Sequence, residues 1–154
     1  MFYSKEKIIE SINSGRIKIT PFDQAQLGLV SYELHLGANV NLISPKAGNV
    51  FHGDEPKKKI IKQIAISEKG YQLLPGEFII AETNELISLD NKLMAIFDGK
   101  ASLAQIGLFT NVSSTLVEPL TNKRITCEVF NCSKFPIILY KGQKIGQIYF
   151  SDII

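Results

Sequence analysis

The feature that most constrains this chain is a change of hydrophobic period. One short helical pattern gives way to a long series of short apolar or alternating segments cut by turn residues. Ile8, Ile9 and Ile12 recur at helical spacing between Ser4, a capping side chain, and Gly15, placed where a left-handed stop belongs. That spacing predicts a short amphipathic helix. From Arg16 the period becomes two, in Arg16-Ile17-Lys18-Ile19-Thr20, and Pro21 breaks what reads as a first strand. Further strands are expected at Tyr32 to Leu36, Val40 to Ile43, Ile60 to Ile66, Phe78 to Thr83, Leu93 to Phe97, Ile125 to Phe130, Ile137 to Leu139 and Lys144 to Phe150. Pro75-Gly76, Asp98-Gly99 and Lys141-Gly142 punctuate them. Many short strands at this spacing predict a mostly β sandwich or jelly-roll-like barrel. A second short helix is expected at Ser102 to Ile106, ended by Gly107. The polar, irregular stretch from Ala47 to Lys62 reads as a mobile excursion.

At 154 residues the chain fits a single domain, residues 1–154, able to bury roughly two-thirds of its unfolded surface. A net charge of +2 is too small to argue for a nucleic-acid or membrane surface. The one basic cluster, Lys57, Lys58, Lys59 and Lys62, reads first as a solvated loop or strand edge, with a phosphate-binding patch as the alternative. The N-terminal residues lack the apolar core of a signal peptide, and no segment has the roughly 18 apolar residues of a membrane span. A cytoplasmic protein is expected, in which Cys127 and Cys132 are buried thiols and not a disulfide. His35 and His52 show no metal-ligand spacing with them.

Four segments in order resemble the dCTP deaminase and dUTPase superfamily, and its deaminase branch most closely. They are Ile17-Lys18-Ile19-Thr20-Pro21-Phe22 with Gln26 and Ser31-Tyr32-Glu33-Leu34-His35-Leu36-Gly37; Leu74 to Thr83; Asp98 to Leu108; and Val117-Glu118-Pro119 through Ile125-Thr126-Cys127-Glu128 and Asn131 into Tyr140 to Gln147. The third is similar to the Gly-Arg-Ser-Ser-Leu-x-Arg-x-Gly signature of that family. The resemblance implies a distorted β jelly roll (a dUTPase-like β-clip) with a short N-terminal helix and one short internal helix. It also implies a homotrimer whose active sites lie between subunits and bind a deoxypyrimidine nucleoside triphosphate. Mg²⁺ would come with the phosphates and not sit in a dedicated protein site.

Replacing the amino group of a cytosine ring by oxygen needs an activated water and a proton shuttle for the departing ammonia. Zinc deaminases use a His-x-Glu and Pro-Cys-x-x-Cys signature, which this chain lacks. A metal-free route uses a carboxylate as general base. The resemblance assigns that role to Glu128, and nucleotide contacts to Lys100, Ser102, Gln105, Ser114, Glu118 and Gln147. Ser102 has two readings, a phosphate contact or simply the cap of the second helix. Several positions depart from the family pattern. Lys100, Gln105 and Leu116 stand where arginines are usual, Ala101 where a serine is usual, and Leu120 and Lys123 where glycines follow the proline. A lysine meets phosphate as a point charge and not as a fork, so weakened triphosphate affinity is expected. After Phe150 only Ser151-Asp152-Ile153-Ile154 follow, which predicts that the phosphate-covering tail of the family is missing. Three functions stand open. The first is hydrolytic deamination of dCTP to dUTP; the second is a non-catalytic trimer that senses nucleotides or binds a partner. The third is dUTP diphosphatase, for which the segment Leu120 to Arg124 lacks the expected tyrosine.

Overall fold

In the computed structural model, which describes residues 1–43 and 60–154, the hydrophobic pattern is spent almost entirely on antiparallel strands. Helix α1 (Lys5–Asn13) comes first. The Ser4 hydroxyl accepts the Lys7 N–H at 3.3 Å, and Gly15 at φ 78° ends the helix. Ile8 is buried against the sheet, with Ile9 and Ile12 packed beside it. The strands follow as β1 (Ile17–Thr20), β2 (Tyr32–Ile43), β3 (Ile60–Ala65), β4 (Tyr71–Leu73), β5 (Phe78–Leu89) and β6 (Leu93–Gly99). Then come helix α2 (Ala101–Ala104), β7 (Leu108–Phe109), β8 (Leu116–Val117), β9 (Asn122–Asn131), β10 (Ile137–Leu139) and β11 (Lys144–Asp152). The main sheet runs β7-β9-β5-β2-β11-β6-β8, with β1 added to β5 and β3 to β2; β4 and β10 form a separate pair. Its buried face gathers Tyr32, Leu34, Ile87, Phe97, Ile148 and Phe150 into one core. Arg16 ties both ends of the chain to that sheet, donating to Asp90 at 2.8 Å, Asp152 at 2.9 Å and the Tyr3 hydroxyl at 3.1 Å. Among the described residues no helix is long and apolar enough to cross a membrane.

The expected mostly β architecture with two short helices is what the chain adopts, with differences that have local causes. The segments Tyr32 to Leu36 and Val40 to Ile43 are one strand, interrupted by a register shift against β5 between Leu36 and Val40. Gly37 sits in that irregularity, where a Cβ would come within 2.8 Å of the Glu82 carbonyl oxygen. Strand β5 continues six residues beyond Thr83, and the inward-facing Glu85 on that extension finds its partners in β2. Its carboxylate, 1% exposed, accepts the His35 backbone N–H at 2.9 Å and meets the His35 ring nitrogen Nδ1 at 2.8 Å. Helix α2 starts one residue earlier than expected. Lys100 is its N-cap, without a side-chain capping bond, so Ser102 lies inside the helix and the capping reading of Ser102 is corrected. Cys127 is buried as expected, but Cys132 is exposed just past the end of β9, and both are free thiols. Lys57, Lys58, Lys59 and His52, and most of the stretch from Ala47 to Lys62, lie outside the described residues.

The end of β9 is held by one side chain. Asn131 is fully buried; its Nδ2 donates to the carbonyls of Leu73 at 3.1 Å and Phe135 at 2.8 Å, and its Oδ1 accepts the Ser133 N–H at 2.9 Å. Asn131→Ala removes the buried bond to the Leu73 carbonyl and the half-buried anchor of Ser133, while the Phe135 carbonyl keeps the Ser133 hydroxyl at 2.9 Å. Urea denaturation is expected to show a loss of about 3 kcal/mol, against about 1 kcal/mol for Ser133→Ala, which removes only part of the network.

Candidate functional site

The site begins with the alternation of β9. Ile125, Cys127 and Val129 are buried, so Thr126, Glu128 and Phe130 emerge on the opposite face. Antiparallel pairing with β5 then sets Glu128 opposite Ile80 and Thr126 opposite Glu82. The carboxylate of Glu128 is partly buried, because the segment after β7 folds over it. Glu128 Oε2 accepts the backbone N–H groups of Ser113 at 2.8 Å, Val112 at 3.2 Å and Ser114 at 3.3 Å. The Ser113 hydroxyl adds a longer contact at 3.4 Å. Three converging N–H dipoles fix one carboxylate oxygen, and Oε1 accepts none of these bonds. The neighbouring Cys127 thiol is not a competing nucleophile. Burial first, and then the charges of Glu82 and Glu85, push its pKa well above the ordinary thiol range.

Glu128 opens onto a cleft of about 740 Å³. Its polar lining includes Ser114, Glu118, Thr121, Lys123 and Thr126, and Ile80, Leu116, Val117 and Ile125 supply an apolar wall. The far wall is a tight turn in which the Thr121 N–H bonds the Glu118 carbonyl at 3.3 Å. Leu120 occupies its left-handed position at φ 59°, where glycine is at ease. Bonds from Leu120 N–H to the Asp90 carbonyl at 3.1 Å and from Leu89 N–H to the Thr121 carbonyl at 2.9 Å hold the turn to the β5–β6 connection. A mixed lining with a fixed carboxylate suits a small ligand that has a flat apolar ring and a polar edge.

Of the residues expected at a site, the structure brings Glu128, Ser114 and Glu118 to this cleft. Lys100, Ser102, Gln105 and Gln147 do not line it. Lys100, Ser102 and Gln105 lie on or beside α2, which buries none of its residues and presents Ser102 and Gln105 to solvent. Gln147 is on β11, where its Oε1 accepts the Ser31 hydroxyl at 3.1 Å. Sequence reasoning did not find the N–H groups of Val112 to Ser114, because main-chain donors leave no trace in residue type. It noted Lys123 only as a replaced turn residue, although Lys123 lines the cleft.

The loop is held by the carboxylate as much as the carboxylate by the loop. Glu128→Ala is expected to speed amide hydrogen exchange at Val112, Ser113 and Ser114 at least tenfold with about 1 kcal/mol lost in global stability, and Glu128→Gln to fall between. Exchange followed by NMR at those three amides checks this.

Comparison with known proteins places the chain. The family described as dCTP deaminase-like matches residues 2–153. A protein of Tropheryma whipplei named "dCTP deaminase, dUMP-forming" is 32% identical over 154 residues, covering 99% of this chain and 79% of its own. One of the same name from Sulfurihydrogenibium is 33% identical over 155 residues, covering 99% and 84%. The crystal structure of the 2′-deoxycytidine 5′-triphosphate deaminase from Agrobacterium tumefaciens superposes with a TM-score of 0.75 at 18% identity. That match covers 97% of this chain and 48% of the other, so the chain spans about half the solved length and the likeness shows a shared fold. A Staphylococcus phage 80alpha dUTPase superposes at 0.55 with 8% identity, covering 90% of this chain and 91% of that one. On these matches the chain belongs to the dCTP deaminase-like family.

Proposed function

We propose that the protein deaminates dCTP, with Glu128 as the general base. What supports this reading is the fixed carboxylate at the cleft. With Oε2 held by three N–H groups, Oε1 is the oxygen able to take a proton from a water set against the C4 carbon of cytosine. The water oxygen bonds to C4, the C4–N4 bond breaks, and the proton taken by Glu128 leaves with the amino group, so that dCTP and water give dUTP and ammonia. The apolar wall of Ile80, Leu116 and Val117 supports the ring and keeps bulk water from it.

One chain supplies half of what such a substrate needs. The cleft holds two carboxylates, Glu118 and Glu128, which oppose a polyanion, whereas the half-buried Lys100 and the exposed Ser102 and Gln105 lie outside it. A homotrimer in which α2 of one copy closes the cleft of the next resolves this, bringing Lys100 and Ser102 to the phosphates. Mg²⁺ then arrives as part of the substrate, on the triphosphate. Cleavage to dUMP is a second reading, favoured by Glu118 in the same cleft and by the names of the relatives. In it Glu118 aligns a second water on the α-phosphorus, and dUTP and water give dUMP and pyrophosphate.

The test is incubation with dCTP and Mg²⁺, scoring ammonia and pyrophosphate separately. Ammonia alone is the expected product of the first reading, and ammonia with equimolar pyrophosphate that of the second. Release of neither at any dCTP concentration would instead favour the non-catalytic reading. Glu128→Gln is expected to lower ammonia release at least a thousandfold without unfolding the protein, since the amide matches the carboxylate in shape but takes no proton.

A further inference from the structure

We propose that Lys123 is the phosphate-recognition residue that this chain's own cleft contributes, an assignment that rests on the reading of the cleft as a nucleotide site. Among the described residues that line the cleft, Lys123 is the sole cation, set against the carboxylates of Glu118 and Glu128. It is exposed, its main chain pairs with β5 opposite Ile87, and its side chain is not engaged by a carboxylate among the described residues, which leaves the ammonium available to a ligand.

Its place in the strand fits the task. Lys123 and Glu128 are five residues apart on β9, which at strand rise separates their Cα atoms by about 16 Å; the odd spacing roots them on opposite faces of the strand, yet both line the same cleft. A nucleotide with its base at Glu128 has its phosphates a sugar's length or more away, within reach of a long side chain rooted at that distance. The chain also carries Leu116 on the cleft wall, where a family arginine is usual, and Lys123 returns one positive charge to the same cavity. As a point charge on a flexible stem, the ammonium selects for phosphate and is indifferent to the base. Lys123 is thus a specificity residue for nucleotide over nucleoside and takes no part in the chemistry at the ring.

Titration calorimetry with Mg²⁺-dCTP and with deoxycytidine, on the wild-type protein and variants, tests the assignment. Lys123→Ala is expected to lower dCTP affinity about tenfold or more while leaving deoxycytidine affinity and the melting temperature unchanged. Lys123→Arg keeps most of the dCTP affinity, and Lys134→Ala, an exposed lysine outside the cleft, changes nothing. Unchanged dCTP binding by Lys123→Ala would overturn the assignment alone, as would equal losses for dCTP and deoxycytidine. Wild-type protein that binds no dCTP would overturn both the assignment and the nucleotide reading beneath it.

Discussion

Burying Ile125, Cys127 and Val129 from a single strand leaves Glu128 one place to go. The period of a strand is two, so a slip of one residue would drive Thr126, Glu128 and Phe130 into the core and lift the apolar set to the surface. Pairing on both sides, with β5 over most of its length and with β7 at its end, forbids that slip. The position of the carboxylate is therefore inherited from the core. The loop at Val112 to Ser114 docks onto a group already in place, and this is why three main-chain donors meet at one oxygen.

The other wall of the cleft rests on strain instead of packing. Leu120 holds a left-handed backbone conformation that costs a side-chain-bearing residue about 1–2 kcal/mol relative to glycine. Main-chain bonds to Leu89 and Asp90 hold the turn in that shape. Held in this way, the turn carries a leucine at a left-handed position and still brings Glu118 and Thr121 to the cleft.

Much of the fold was legible because period-two alternation records burial directly. The segment Ile137 to Leu139 forms a strand over those same residues, and the one read from Arg16 to Thr20 does so from Ile17. What was not legible depends on partners remote in sequence. The strand read as ending at Thr83 runs on to Leu89, past a Glu85 whose partner His35 lies fifty residues earlier. Gly37 carries no sign in the sequence of the Glu82 carbonyl that sits behind it. In the site, Glu128 could be read from its motif, whereas its donors belong to the backbone. Lys100, Ser102, Gln105 and Gln147 share a motif with the cleft residues but not the cleft, a separation that no spacing in one sequence reveals.

That separation is the centre of the proposal, in which Glu128 at the cleft of one copy works with Lys100 and Ser102 brought by α2 of the next. Mixing two variants measures it most directly. Glu128→Gln damages one half, and the double variant Lys100→Ala, Ser102→Ala damages the other. If sites are shared between copies, each variant alone is inactive, and trimers reassembled from an equal mixture recover about one quarter of wild-type ammonia release from dCTP, the fraction of junctions with both halves intact. Mixed trimers of verified composition that recover no activity would contradict the account, as would full activity in the double variant alone.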